Sequence, residues 1–205
     1  MAACSDFSKV SMGTKKLIIV GAGGHGRAVA EAALLSTAWS EVVFVDDSYP
    51  AQQISGRWPI VANTQSLLTL VSQGDHVIVA IGNQATRKRL FDTARAAGAT
   101  MATVIHPKAW VSADADLGEG TAIMAGAVIG IQAKLGMGAI VNANATVDHD
   151  AILGDFAHLG VGVQLAGGVI VGDSAWLQAG ACAGYRVKVP PAAVVAPGTV
   201  LVAKD

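Results

Sequence analysis

Charge and cysteine are both scarce in this chain, and each shortage closes off a class of function. Charged residues make up only 14% of the sequence, sum to −1 and are scattered, so the basic footprint that a nucleic-acid backbone requires is missing. Nucleic acid is not an expected partner. The two cysteines, Cys4 and Cys182, fit neither a metal-ligand spacing nor a disulfide framework and read as reduced thiols. Long apolar runs are absent too. Although 52% of residues are hydrophobic, Gly, Asp, His or Asn interrupts every candidate segment before ~18 apolar residues accumulate. Membrane insertion is therefore not expected. Lys15 and Lys16 ahead of Leu17-Ile18-Ile19-Val20 imitate the start of a signal peptide, but Gly21, Gly23 and Gly24 end the apolar run. The chain reads as cytoplasmic, with residues 1–14 a flexible leader that lacks periodicity.

Two kinds of periodicity follow the leader. Residues 17–20, 42–45 and 77–81 are short apolar runs that read as buried parallel strands. They alternate with helical patterns at 25–36, 64–72 and 84–97, the last closed by Gly98. Residues 15–104 thus predict a small Rossmann-like βαβαβα domain with three clear strands.

From Ile105 the period becomes six. Stepping by six residues from Ile105 to Leu201 meets an aliphatic side chain at sixteen of seventeen positions. Four residues after each of the first sixteen stands a small or β-branched residue: eleven Ala, three Val and two Thr. Neither a helix nor an ordinary strand repeats every six residues. A coil of short strands does, because each flat stretch turns one large and one small residue inward while the turn faces out.

Within this region, the polar residues concentrate over 147–158. His149 is the third residue of its hexad and lies between Asp148 and Asp150, away from the inward positions. An exposed imidazole next to a carboxylate suits general-base catalysis near neutral pH, although a surface turn accommodates the same residues. Cys182 has no histidine or acid nearby in sequence and reads as packing rather than as a nucleophile.

The hexads over 105–205 resemble the left-handed parallel β-helix of the hexapeptide-repeat acyltransferases, and the left hand comes from that resemblance. In such a coil of three hexads, His149 and His158 stand half a turn apart on roughly opposite sides. They can share a site only across subunits, so the fold predicts a homotrimer with active sites at its interfaces. The whole chain resembles the sugar O- and N-acyltransferases, both the sialic acid O-acetyltransferase-like proteins and the bacterial nucleotide-aminosugar N-acetyltransferases. The residues carrying that resemblance are Gly21-Ala22-Gly23-Gly24-His25-Gly26, Asp46-Asp47, Ile81-Gly82-Asn83, Asp148-His149-Asp150 and Gly154-Asp155-Phe156-Ala157-His158.

The resemblance implies acetyl-CoA as acyl donor, no metal, and direct transfer without an acyl-enzyme. His149 would be the base supported by Asp150, with Asp148 as a rival partner because some members carry Glu at the Asp150 position. His158 would contact acetyl-CoA, with Gly167, Gly168, Ala179 and Gly180 small enough to let the pantetheine arm approach. The expected acceptor is the amino group of a nucleotide-linked 4-amino-4,6-dideoxy sugar; a hydroxyl of a sialic-acid-like sugar is the alternative.

Gly21, Gly23 and Gly26 formally meet the dinucleotide fingerprint, and Asp46 follows at the appropriate distance. With only three strands expected and no hydride partner, the loop reads instead as a cradle for a sugar-nucleotide pyrophosphate at a helix N-terminus. Gly23, Gly24, His25, Asp46, Asp47, Gly82 and Asn83 are the candidate substrate contacts, although Asn83 equally suits a helix N-cap. Two rivals are a zinc hydratase built on His106, His149 and His158, and a non-catalytic nucleotide-binding trimer module.

Overall fold

A computed structural model describes residues 15–203, so the leader expected at 1–14 lies outside the described residues. The first unit runs β1 (Lys16–Val20), α1 (Gly24–Leu35), β2 (Glu41–Val45), β3 (Ile54–Ser55), β4 (Trp58–Ala62), α2 (Leu67–Leu70), β5 (His76–Val79), α3 (Gln84–Ala96) and β6 (Thr100–Met101). A single 3₁₀ turn at Thr64–Ser66, capped by the Asn63 side chain, precedes α2. The sheet order is β3-β4-β2-β1-β5-β6, parallel except for the β3–β4 hairpin. Alternation along β1 is complete. Leu17 and Ile19 pack with α1, while Ile18 and Val20 pack with α2 and α3, which explains why the strand reads as an unbroken apolar run.

Six strands, not three, make this sheet. The hairpin escapes sequence reading because only Ile60 and Ala62 of β4 are buried and Pro59 argues against a strand. Six-strandedness removes the incomplete sheet as a reason to set aside a dinucleotide, so the acceptor reading stands on the site itself.

Seventeen two-residue strands follow, from β7 (Val104–Ile105) to β23 (Val200–Leu201). Neighbours in each sheet pair in parallel at a spacing of eighteen residues, as Ala122 with Ile140 and Ile140 with His158. Three sheets of six, six and five strands close a triangular, left-handed prism. The second residue of each strand and the small residue immediately before the strand point inward and form one continuous core from Ile123 to Val189. From Gly120 to Gly198, the fourth residue of every hexad takes a left-handed backbone conformation; half of these residues are not glycine, Asp150 and Phe156 among them. The corner geometry is imposed by the stack rather than by glycine alone.

The first prism sheet begins with the outward side chains of Val104, Ala122 and Ile140, which are buried in the α1 side of the α/β core. On the other side, Phe156 reaches from a prism corner into the α3 core, meeting Phe91 edge to face with ring centroids 5.3 Å apart. Above this contact, the same sheet presents His158. The α/β unit therefore seats its glycine-rich loop and the turn at Gly82 beside His158.

Candidate active site

His149 occupies the corner between β14 (Thr146–Val147) and β15 (Ile152–Leu153). Its two acidic neighbours divide the work. Asp148 Oδ1 accepts a hydrogen bond from the His149 backbone N–H at 2.7 Å and fixes the turn, whereas Asp150 Oδ2 lies 2.7 Å from the ring Nδ1. A carboxylate at Nδ1 places the ring proton there and leaves the Nε2 lone pair free, as a base requires. The hydrogen bond that Nδ1–H donates to Asp150 raises the pKa of His149 above the ordinary histidine value, with the charge of Asp148 adding to it.

The ring does not stand freely. A Cβ added at Gly167, one rung above, would lie 2.4 Å from both Cε1 and Nε2 of His149. Tyr185, a further rung up, is tilted against the imidazole with centroids 6.2 Å apart. Together with Asp150, Gly168 and Arg186 these residues line an open cleft at the corner. Gly167 thus seats the base, a duty its reading as a cofactor contact does not include.

The raised pKa has a direct kinetic signature. For a base that works through its neutral ring, as the resemblance implies for His149, acyl transfer should fall as pH drops through a value above the ordinary histidine value. Asp150→Asn should move that acid limb of the kcat profile to lower pH, and Asp148→Asn should move it less. Stopped-rate assays across pH distinguish the two, and an unmoved limb in Asp150→Asn would remove the carboxylate from the base.

His158 lies on β16 (His158–Leu159), on the sheet opposite the His149 corner. Its Nε2 faces the Asn142 amide nitrogen at 3.1 Å, and its ring stacks on Trp176 at 5.8 Å and 19°. Gly82 packs against the ring edge. The Gly82 carbonyl favours the charged ring, yet Nδ1 has no hydrogen bond of good geometry and is buried. Burial, then the charge of Arg87 and then His25 push the His158 pKa down to about 4. His25, in the first turn of α1, is likewise lowered to about 4 by burial and by Arg87, and its Nε2 is buried without a partner. Two neutral imidazoles with unspent polar atoms therefore meet where the glycine-rich loop approaches the prism.

The glycines of that loop separate into two kinds. Gly26 is required for packing, since a Cβ there would lie 1.9 Å from the Gly21 carbonyl oxygen, and Gly21 has φ +105°. Gly23 and Gly24 face open space at the N-terminus of α1. Asp46 accepts from the backbone N–H groups of Ala22 and Ser48 at 2.8 and 2.9 Å. Asp47 accepts from the Thr64 backbone N–H and hydroxyl, and Asn83 caps α3 by accepting from the Thr86 N–H. These three side chains hold the cradle's walls in place.

Ala179–Gly180 sits at the corner between the first and second prism sheets, and Gly167–Gly168 at the corner between the second and third. The structure thus separates two pairs that the sequence reading grouped. His106 Nδ1 accepts from the Lys108 N–H and does not join the other histidines; among the described residues no three His, Cys, Asp or Glu gather around a point. No helix among them is long and apolar enough to cross a membrane. Sequence reading passed over Asn142, Tyr185 and Arg87. The eighteen-residue register carried a signal for one of them, because Tyr185 stands two rungs above His149.

The family model of the PglD N-terminal domain matches residues 16–94. The acetyltransferase domain of PglB from Neisseria gonorrhoeae FA1090 is 36% identical, with 93% of this chain and 92% of that chain covered and a TM-score of 0.89. PerB from Caulobacter crescentus, solved with CoA and GDP-perosamine, is 34% identical over 94% of this chain and 93% of that one, with a TM-score of 0.84. A UDP-N-acetylbacillosamine N-acetyltransferase of Bacillus subtilis (strain 168) is 32% identical over 114 residues, which span 54% of this chain and 52% of that relative. The chain aligns with about half the length of this curated relative.

Proposed function

The chain belongs to the hexapeptide-repeat nucleotide-aminosugar N-acetyltransferases, and from that premise we propose that it moves an acetyl group from acetyl-CoA to the amine of a nucleotide-linked 4-amino-4,6-dideoxy sugar. The observation that carries the reading is His149, its Nδ1 held by Asp150 and its Nε2 free at an open corner. The cradle of Gly23, Gly24, His25, Gly82 and Asn83 lies on the opposite side of the same prism, next to His158. A sugar held there meets the His149 of a neighbouring subunit rather than its own. A homotrimer supplies that neighbour three times over.

In this arrangement the open N-terminus of α1 holds the diphosphate and the unpartnered His25 Nε2 and His158 Nδ1 contact polar groups of the bound substrates. His149 Nε2 takes the proton from the attacking nitrogen as the new N–C bond forms at the thioester carbonyl. The C–S bond then breaks, and the leaving thiolate recovers a proton from the imidazolium. The small corners at Gly167–Gly168 and Ala179–Gly180, one from each subunit, leave room for the pantetheine arm. We place the reaction in the cytoplasm, where acetyl-CoA is available.

A thiol-release screen with acetyl-CoA against UDP- and GDP-linked aminosugars, with free sugars and a sialic-acid-like sugar as controls, tests the reaction. Turnover confined to nucleotide-linked amines is expected; release with the hydroxyl sugar alone would overturn the amine reading. Mixing tests the shared site. Gly23→Val should fold, since nothing lies within 4 Å of a Cβ there, but should block the cradle. Co-assembled with inactive His149→Ala, it should regain up to about one quarter of wild-type turnover through random mixing of subunits. No recovery would place base and cradle in one chain.

A further inference from the structure

Arg87 is 1% exposed, lies on α3 and forms no ion pair among the described residues. All four hydrogen bonds of its side chain go to main-chain carbonyls. Nη1 donates to Ile81 and Gly82, both at 2.8 Å, Nε donates to Gly138 at 2.9 Å, and Nη2 donates to Phe156. The first pair belongs to the turn after β5 that ends in Gly82 and Asn83. The second pair occupies successive rungs of one prism corner, both in the left-handed conformation.

A buried cation without a counter-ion is costly, and well-packed apolar residues of similar volume commonly do as well or better in a core. Phe91 and Phe156 already supply apolar packing at this contact. Arg87 therefore contributes something that packing does not. Its planar fork spans carbonyls of both units at fixed distances, which neither a lysine nor an apolar side chain reproduces.

We propose that Arg87 is a positioning residue for acceptor binding, tying the Ile81–Gly82 turn to the Gly138 and Phe156 rungs and so setting where the cradle stands against His158. This rests on the acetyl-transfer reading above. The charge of Arg87 has a second consequence at the same place. Burial lowers the Arg87 pKa only to about 10, so it remains a cation at neutral pH. After burial, it is the next cause of the low pKa of both His25 and His158; His25 adds to the lowering at His158 and the Gly82 carbonyl opposes it. Both imidazoles stay neutral while the cradle is in use.

Two full-length variants test the proposal. Arg87→Lys keeps the charge without the fork, and Arg87→Gln removes the charge. Both should raise KM for the nucleotide-aminosugar roughly 10- to 100-fold, and in Arg87→Lys, which keeps the charge beside His158, KM for acetyl-CoA should stay within about twofold. In imidazole titrations followed by NMR, His25 and His158 should move up toward the ordinary range in Arg87→Gln and stay low in Arg87→Lys. An unchanged acceptor KM in either folded variant, or an equal rise in both KM values in Arg87→Lys, would overturn the proposal. If the wild-type protein acetylates no aminosugar, the functional reading fails on its own. Hydrogen exchange then decides for Arg87: faster exchange confined to the turn at 80–84 in Arg87→Lys supports it, and unchanged exchange there rejects it.

Discussion

His149→Ala should leave the prism intact and lower acyl transfer by roughly 10²- to 10⁴-fold, the usual contribution of a positioned general base. The fold should survive because the ring contributes nothing to the core. It stands at a corner with 45% of its side chain exposed, while the neighbouring Val147 and Ala151 keep the inward positions filled. Asp148 still accepts the backbone N–H of residue 149, so the turn is retained. The loss should fall on kcat, with little change in KM for either substrate, because the proton is taken only as the bond forms. Saturating thiol-release assays read this directly. Wild-type turnover in His149→Ala would take the residue out of the mechanism.

Gly167→Ala should do comparable damage with a single methyl group. The backbone at Gly167 lies outside the left-handed region, unlike Gly168, so φ there does not forbid alanine. The added carbon would nevertheless lie 2.4 Å from the His149 ring and 3.0 Å from Tyr185. An imidazole is easily rotated, so the protein should accommodate the methyl group by swinging the ring away and giving up its bond to Asp150. A displacement of about 1 Å at a reacting group is worth roughly 10² in rate, and kcat should fall by about that factor while the melting temperature holds. A double variant locates the effect. In a His149→Ala background Gly167→Ala should cost almost nothing further, because the group it displaces is gone. Additive losses would show that Gly167 acts on the acyl donor instead.

The sequence carried the column more fully than the sheet. A period of six is visible because the inward positions are aliphatic and small without interruption, from Ile123 to Val189 in the buried core. β1, β2 and β5 were legible as apolar runs because both faces of their sheet are covered. β3 and β4 were not, since Ile54 is 62% exposed and the hairpin contributes little to the core. At the site, the pairing of His149 with an adjacent acid was readable from three consecutive letters, but which acid holds the ring was not. That choice depends on the left-handed conformation of Asp150, which the stack sets. Arg87 was illegible for another reason. It sits in a polar helix segment, Thr86-Arg87-Lys88-Arg89, and only the folded contact with Gly138 and Phe156 separates it from its exposed neighbours.

The strict eighteen-residue pairing of the prism also makes it a ruler. Among the described residues, three rungs pair in turn above the one bearing His149, at residues 165, 183 and 201, and at about 4.8 Å each they span roughly 14 Å of column. A molecule lying along the corner is gauged in whole rungs, since a strand inserted or lost by one residue would turn every inward side chain out. Deleting one complete turn above Tyr185 would shorten the column by a single graduation and leave His149, Gly167 and Asp150 undisturbed. Reach along this column is thus quantised, and divergence can lengthen or shorten it only in steps of eighteen residues.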